Sequence, residues 1–360
     1  MVDDVLRLDA IDGWPPPEAQ PNWYGAPAAE AALLDAYRGG RMHHAWLIGG
    51  TKGIGKATLA YRFARFALAH PDPRVAAVGA ARDLFVPEDA PAFRRVAGRA
   101  HPNLLVMERP WDDKNKRYKT ELAVDEIRKT VGFFGSTGGE GGWRIAIVDS
   151  ADEMNASAAN ALLKVLEEPP SRALFFVISH TPGRLLPTIR SRCRRLDIAP
   201  LTPDAIIAAI RDNGSISAGE DDIRLAAALA EGSLRRAILL LQEDGIETYR
   251  AFARFAASVG EPDVAAMHEL ASSVSGRRDD DAYYGFLDTV RAWLARRVRG
   301  EDEPAAEARP GPALRAVPLA RWAEVWDKVA QSSTEAEDLN LDRKQVVLSI
   351  LMSLARAARM

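Results

Sequence analysis

Short, mostly apolar runs alternate with amphipathic stretches over the first half of the chain, and helical periodicity alone follows in the second half. Ala45–Ile48, Asn103–Met107, Trp143–Val148 and Ala173–Ile178 read as strands. Their nearly continuous apolar character is that of strands buried on both faces, which is the mark of a parallel sheet. Between them lie helical patterns. Residues 28–40 place Leu33, Leu34 and Tyr37 on one face, and Ala57–Leu68, Val124–Phe134 and Ser157–Leu166 follow, the last stopped by Pro169-Pro170. Strand and helix in alternation predict an α/β domain with helices on both faces of the sheet.

The connecting segments are less regular. Residues 1–24 are Pro-rich around Trp14-Pro15-Pro16-Pro17 and read as an irregular lead-in. Residues 70–100 are rich in Ala, Pro and Arg and predict short helical pieces. Asp112–Lys119 is a charged loop, and Gly138–Gly142 a turn. After Pro200 the strand pattern stops. Pro203–Asn213 and Asp221–Leu241 are predicted helices, and periodicity continues through 247–298 with Phe286, Val290 and Leu294. Glu301–Pro312 reads as a linker. Leu319, Trp322, Val325, Trp326 and Val329 then form a stripe, and Val347, Ile350, Leu351 and Leu354 share a face of the last helix. No internal repeat is visible.

Composition narrows the function classes. At 360 residues and 47% hydrophobic, the chain can build two or three domains. Its net charge of −3 gives no global basic field for nucleic acid. One cysteine, Cys193, excludes an internal disulfide or a cysteine zinc site, and the six histidines show no metal-ligand spacing. The acidic Met-Val-Asp-Asp start is unlike a secretion signal, and no apolar stretch reaches the roughly 20 residues of a membrane helix. The expectation is a soluble cytoplasmic protein with no membrane partner.

The chemistry concentrates at Gly50-Thr51-Lys52-Gly53-Ile54-Gly55-Lys56-Ala57-Thr58, a G-x-x-x-x-G-K phosphate loop placed between a predicted strand and a predicted helix. Gly50, Gly53 and Gly55 let backbone N–H groups approach a phosphate at the helix start, and Lys56 adds a point charge. The next position should offer a hydroxyl to Mg²⁺, and Ala57 stands there. Thr58 is one step further and turned by about 100° on a helix, so it does not replace that ligand. Asp149, at the end of the strand Trp143–Val148, is the residue that would hold Mg²⁺ through water. A hydrolytic site would carry a glutamate directly after it, and Ser150 occupies that place. Phosphoryl transfer depends on positioning and charge, so two such losses predict no hydrolysis. The residues leave two readings open: a cradle that holds ATP or ADP, or a loop kept for its turn geometry.

Asn160-Ala161-Leu162-Leu163-Lys164-Val165-Leu166-Glu167-Glu168-Pro169-Pro170, followed by Ser191-Arg192-Cys193, resembles the clamp-loader branch of the AAA+ ATPases. Arg41–Leu47, Ala100–Leu104 and Leu339–Lys344 strengthen the resemblance, which covers most of the chain. The resemblance implies a AAA+ nucleotide-binding core over 1–199, a helical lid over 200–246 and an all-α collar over 247–360. It also implies membership of a hetero-pentameric ring that loads a sliding clamp on primed DNA within a DNA-directed DNA polymerase holoenzyme. In such a ring Arg192 would be an arginine finger for the ATP site of a neighbouring subunit. The alternative for Arg192 is a structural arginine paired with an acid of its own domain. By the same resemblance Arg235, in Gly232–Ala237, would sense phosphate, the alternative being a solvated arginine at a helix start. Ser179 or His180 would fall at the other sensor position, where a structural role is the expectation and His180 reads as a loop histidine. Relatives often carry a four-cysteine zinc module. Residues 70–100 lack cysteine, so no zinc is expected. The segment 113–119 reads as a solvated hairpin and Lys164 as a surface lysine, with contact to DNA phosphate the alternative for each. Cys193 reads as a packing residue. The competing function classes are a self-sufficient AAA+ motor, against which Ala57 and Ser150 speak, and a small-molecule kinase, against which the helical units after residue 200 speak.

Overall fold

The computed structural model describes residues 10–112, 114, 117–135, 142–242, 244–259, 263–275, 281–301, 303, 317–338 and 341–359. Residues 138–141 of the turn predicted over 138–142, most of the predicted linker at 301–312, three residues of the charged loop and Leu339-Asn340 lie outside them. Two compact units form: one from the chain up to Ser215 plus Glu231–Arg235, the other from Ile216–Ala230 and the chain from Arg236 onward.

The first unit is built on a five-stranded parallel sheet. Its strands are β1 (Ala45–Gly49), β2 (Leu104–Met107), β5 (Arg144–Val148), β6 (Ala173–Ser179) and β7 (Arg194–Asp197), in the order β2-β5-β6-β1-β7. The four strands expected from the sequence are present. β1 and β6 are buried at every residue, as a sheet covered on both faces requires. Alternate residues face opposite layers. On one side Ala45, Leu47, Phe175 and Val177 pack with Ile127, Leu162 and Ile189. On the other, Phe176 meets Phe63 at 5.4 Å, and Phe63 meets Tyr37 at 5.6 Å.

These contacts place α1 (Pro27–Arg38) and α2 (Lys56–Ala69) on one face, and α5 (Val124–Gly135), α6 (Ala156–Glu167) and α7 (Pro187–Arg192) on the other. α6 starts where the Asn155 side chain accepts from the Ala158 N–H at 2.9 Å. α8 (Pro203–Asn213) is capped by Thr202, carries Pro203 in its first turn and ends at Gly214 with φ +66°. The segment 70–100 holds two short helices, α3 (Ala76–Ala80) and α4 (Pro91–Ala97). The charged loop carries a two-residue antiparallel ladder, β3 (Trp111–Asp112) with β4 (Arg117–Tyr118), and the Trp111 and Tyr118 rings meet edge-on at 5.1 Å.

The described residues of the second unit contain helices and no strand. They are α9 (Glu220–Leu229), most of α10 (Leu234–Gln242), α11 (Gly245–Ala257), α12 (Val264–Ser275), α13 (Asp281–Arg299), α14 (Leu319–Asp338) and α15 (Arg343–Arg359). Phe252, Phe286, Trp293, Trp322, Val347 and Leu351 form its core, with Trp293 edge-on to Phe252 at 5.6 Å and to Trp322 at 5.4 Å. One expectation needs correction. The single helix predicted over Asp221–Leu241 is two helices, because Glu231 (φ +50°) and Gly232 (φ +82°) turn left-handed between them. A Cβ at Gly232 would lie 2.3 Å from Pro200 Cβ, so a close approach fixes the break at glycine.

Candidate functional site

The glycine loop leaves the carboxyl end of β1, between β6 and β7, where open parallel sheets take ligands. Gly50, Gly53 and Gly55 have φ of +140°, +80° and +90°. These conformations are open to glycine and costly to other residues, so the loop has the backbone of a phosphate cradle. Gly55 leads directly into α2, whose first N–H groups and dipole favour an anion.

Lys56 is buried, and its Nζ donates to Gly50 O at 2.7 Å and to Thr51 O at 2.6 Å. The ammonium is folded onto its own loop. Burial pushes its pKa down to about 8, while Asp149 and Asp152 pull it up. It is therefore mostly charged at neutral pH, and an incoming phosphate would exchange for the two carbonyls. Asp149 directly follows β5, with its N–H on Met107 O at 2.9 Å. Ser150 follows in a left-handed conformation (φ +55°), buried, with Oγ 3.3 Å from His180 Nε2. The His180 N–H donates to Asp152 Oδ1 at 2.9 Å. Thr58 is half-buried in the first turn of α2. The residues fit a phosphate, whereas the metal-ligating hydroxyl at Ala57 and the carboxylate base at Ser150 are replaced. Among the described residues no group of three or more His, Cys, Asp or Glu is placed to hold a metal.

Two further segments reach the loop. The Arg235 N–H donates to Gly53 O at 3.2 Å, and a Cβ on Gly53 would stand 2.2 Å from Ser233 Oγ. Arg235 thus meets the phosphate loop through its backbone. On the other side, a Cβ on Gly55 would be 3.1 Å from the Trp23 ring. Trp23 belongs to a strap held by two buried arginines, Arg62 and Arg65, and by the more exposed Arg99. Arg65 donates to Glu18 O at 3.0 Å and Gln20 O at 2.6 Å with its guanidinium 4.5 Å over the Phe93 ring, and Arg99 meets Glu18 at 2.8 Å. Arg62 binds Pro21 O, and pairs with Glu30 at 2.5 Å. Beyond Trp23, the Tyr24 hydroxyl donates to Asp212 at 2.5 Å, and burial with that bond pushes its pKa up to about 12. The strap was invisible to sequence reasoning, although the aromatic pair Trp23-Tyr24 ahead of α1 was its one signal.

Arg192 ends α7 on a different part of the same unit. Its Nη1 donates to Thr188 O at 3.0 Å, and its Nη2 lies 2.9 Å from Glu167 Oε1. The two side chains are 36% and 43% exposed, so the pair is screened and contributes about 0.2–1 kcal/mol. The guanidinium is oriented rather than locked. Both sequence readings of Arg192 are thereby compatible with one geometry: an acid of its own domain and access from outside. Cys193 is partly buried, and desolvation pushes its thiol up to about 12, which makes it inert. Lys164 is exposed.

The five-stranded parallel sheet and the glycine loop that leads from β1 into α2 define a P-loop α/β phosphate-binding architecture. A family model described as "DNA polymerase III, delta subunit" matches residues 25–202. The chain is similar to DNA polymerase III subunit delta' of several bacteria. It is 41% identical to that subunit of Pseudomonas aeruginosa over 165 residues, 46% of each chain. It is 32% identical to that of Escherichia coli over 212 residues, 59% of this chain and 58% of the other. The chain spans about half the length of the curated relatives it matches. A gamma subunit-related protein from Thermotoga maritima aligns over 91% of this chain and 99% of its own, at 15% identity and a TM-score of 0.42. No helix among the described residues is long and apolar enough to cross a membrane.

Proposed function

We propose that the chain is a delta-prime-like clamp-loader subunit that does not hydrolyse ATP itself. It completes a hetero-pentameric ring with hydrolytic subunits and lends Arg192 to a neighbour's ATP site. The ring then loads a sliding clamp on primed DNA in the cytoplasm. In this reading residues 1–199 are the nucleotide-binding core, 200–246 the lid and 247–360 the collar that joins the ring.

The observation that carries the reading is one contrast within one unit. The chain's own cradle lacks both hydrolytic oxygens, with Ala57 and Ser150 in their places, while a half-exposed guanidinium is held by a weak pair that a phosphate can replace. Arginine suits that exchange, being permanently charged and forked to match phosphate oxygens. Any ATP or ADP in the cradle of Gly50, Gly53, Gly55 and Lys56, with Asp149 and Arg235 beside it, has a structural role.

The test is a reconstituted ring assayed for DNA-stimulated ATPase. Arg192→Ala is expected to lower turnover by on the order of 10³-fold, as loss of an arginine finger does. Wild-type turnover would refute the assignment. The isolated chain is expected to show no ATPase. Turnover abolished by Lys56→Ala would instead establish a self-sufficient motor.

A further inference from the structure

Glu167 stands where a carboxylate is electrostatically unwelcome. It is the last residue of α6, and Glu168 follows it, so two acids sit at the negative end of a helix whose final carbonyls lack intrahelical donors. Placed there without a counter-charge, they would weaken the helix. Among the described residues the ionic partner of Glu167 is Arg192, at 2.9 Å. Thr188 O, one turn back on α7, takes the other arm of the same guanidinium at 3.0 Å. Two of the five donors are used, which leaves the others for an outside acceptor. The two contacts fix the plane and direction of a side chain that otherwise has several freely rotating bonds.

We propose that Glu167 is a positioning residue for Arg192. It holds the guanidinium at the surface in a preset orientation, with the Thr188 carbonyl as second support, until a neighbour's phosphate engages it. The inference rests on the finger reading of Arg192 and extends it to the group that regulates the finger. A preset fork loses less rotational freedom on meeting its ligand, so the carboxylate raises turnover at the partner's site without contacting nucleotide.

Two measurements test it. In the reconstituted ring, Glu167→Gln is expected to lower kcat of the DNA-stimulated ATPase roughly three- to tenfold, the scale of a mispositioned but present group, with KM for ATP unchanged. Glu167→Asp should recover part of the loss, and Glu167→Gln combined with Arg192→Ala should be no slower than Arg192→Ala alone. In the full-length chain by itself, phenylglyoxal labelling of Arg192, read by peptide mapping, should quicken roughly two- to fivefold in Glu167→Gln, matching an exposed pair. Arg192→Ala at wild-type turnover overturns the finger and the proposal together. A silent Glu167→Gln beside an impaired Arg192→Ala overturns the positioning role alone. An additive double variant, or a kcat that rises in Glu167→Gln, also overturns it, since the acid would then act elsewhere or compete with phosphate.

Discussion

Replacing Gly53 by alanine places a methyl group where the structure has another segment of the chain. Its Cβ would stand 2.2 Å from Ser233 Oγ and 2.6 Å from Arg235 Cβ, and the residue has φ +80°. Three costs follow. A side chain in the left-handed region costs about 1–2 kcal/mol. The segment 233–235 must move away, which breaks the Arg235 N–H bond to Gly53 O and costs about 0.5–1.5 kcal/mol net. Together these come to roughly 2–3 kcal/mol, or roughly 4–12 °C in the Tm of a unit this size. Gly40→Ala is the control, because Gly40 has φ +62° and nothing within 4 Å of its added Cβ, so it bears the backbone cost alone. Thermal unfolding, with hydrogen exchange of peptides covering 50–58 and 231–235, is the assay. Faster exchange of 231–235 in Gly53→Ala is expected, and Ser233→Gly in the same background should recover part of the loss. If Gly53→Ala costs no more than Gly40→Ala and leaves that peptide's exchange unchanged, the packing of the glycine loop against 233–235 is refuted.

Two further outcomes are expected. Lys56 has its folded pKa lowered to about 8, below the ordinary value of 10.5. The burial penalty is therefore fully present below pH 8, and stability rises as pH climbs from 8 to 10.5, because the unfolded chain holds the proton more tightly there. A phosphate anion reverses the shift, so binding of any nucleotide takes up a proton above pH 8. Affinity should then fall by up to about tenfold per pH unit, a slope that Lys56→Met removes in a fluorescence titration. Glu30→Ala removes the close ionic partner of Arg62, whose side chain is 6% exposed and which keeps only Pro21 O and Asp83 at 4.0 Å among its described partners, and removes the acceptor of the Leu84 N–H. Urea unfolding should show a loss of about 3–5 kcal/mol, with Glu30→Gln milder.

The strands that build the site were legible because burial on both faces writes itself as uninterrupted apolar residues. β7 was not, since Arg194, Arg195 and Asp197 make it a polar edge, and charge on an edge strand guards against pairing with other chains. The break between α9 and α10 carried one signal, Gly232-Ser233, but an isolated glycine is tolerated within a helical pattern, and the packing of Gly232 on Pro200 decides the matter from a distance. The glycine loop, Asp149 and Ser150 could be read from spacing. The inward fold of Lys56 could not, because it is a rotamer choice within one loop. Neither could the strap carrying Trp23 or the pairing of Arg192 with Glu167, because each joins residues brought together by the tertiary fold. Sequence named Arg192 and supplied both of its readings; the structure shows the pairing with Glu167 and leaves the guanidinium partly exposed.

The left-handed turn at Ser150 bears on how such a chain can change. A glutamate introduced there would inherit φ +55°, at about 1–2 kcal/mol for the backbone, and would lose the Ser150 contact with His180. Restoring a serine at 57 alone supplies a metal oxygen with no base to act beside it. Under the proposed non-hydrolytic reading, neither single reversal improves anything and one is penalised outright, so the backbone itself would act as a ratchet against an autonomous motor.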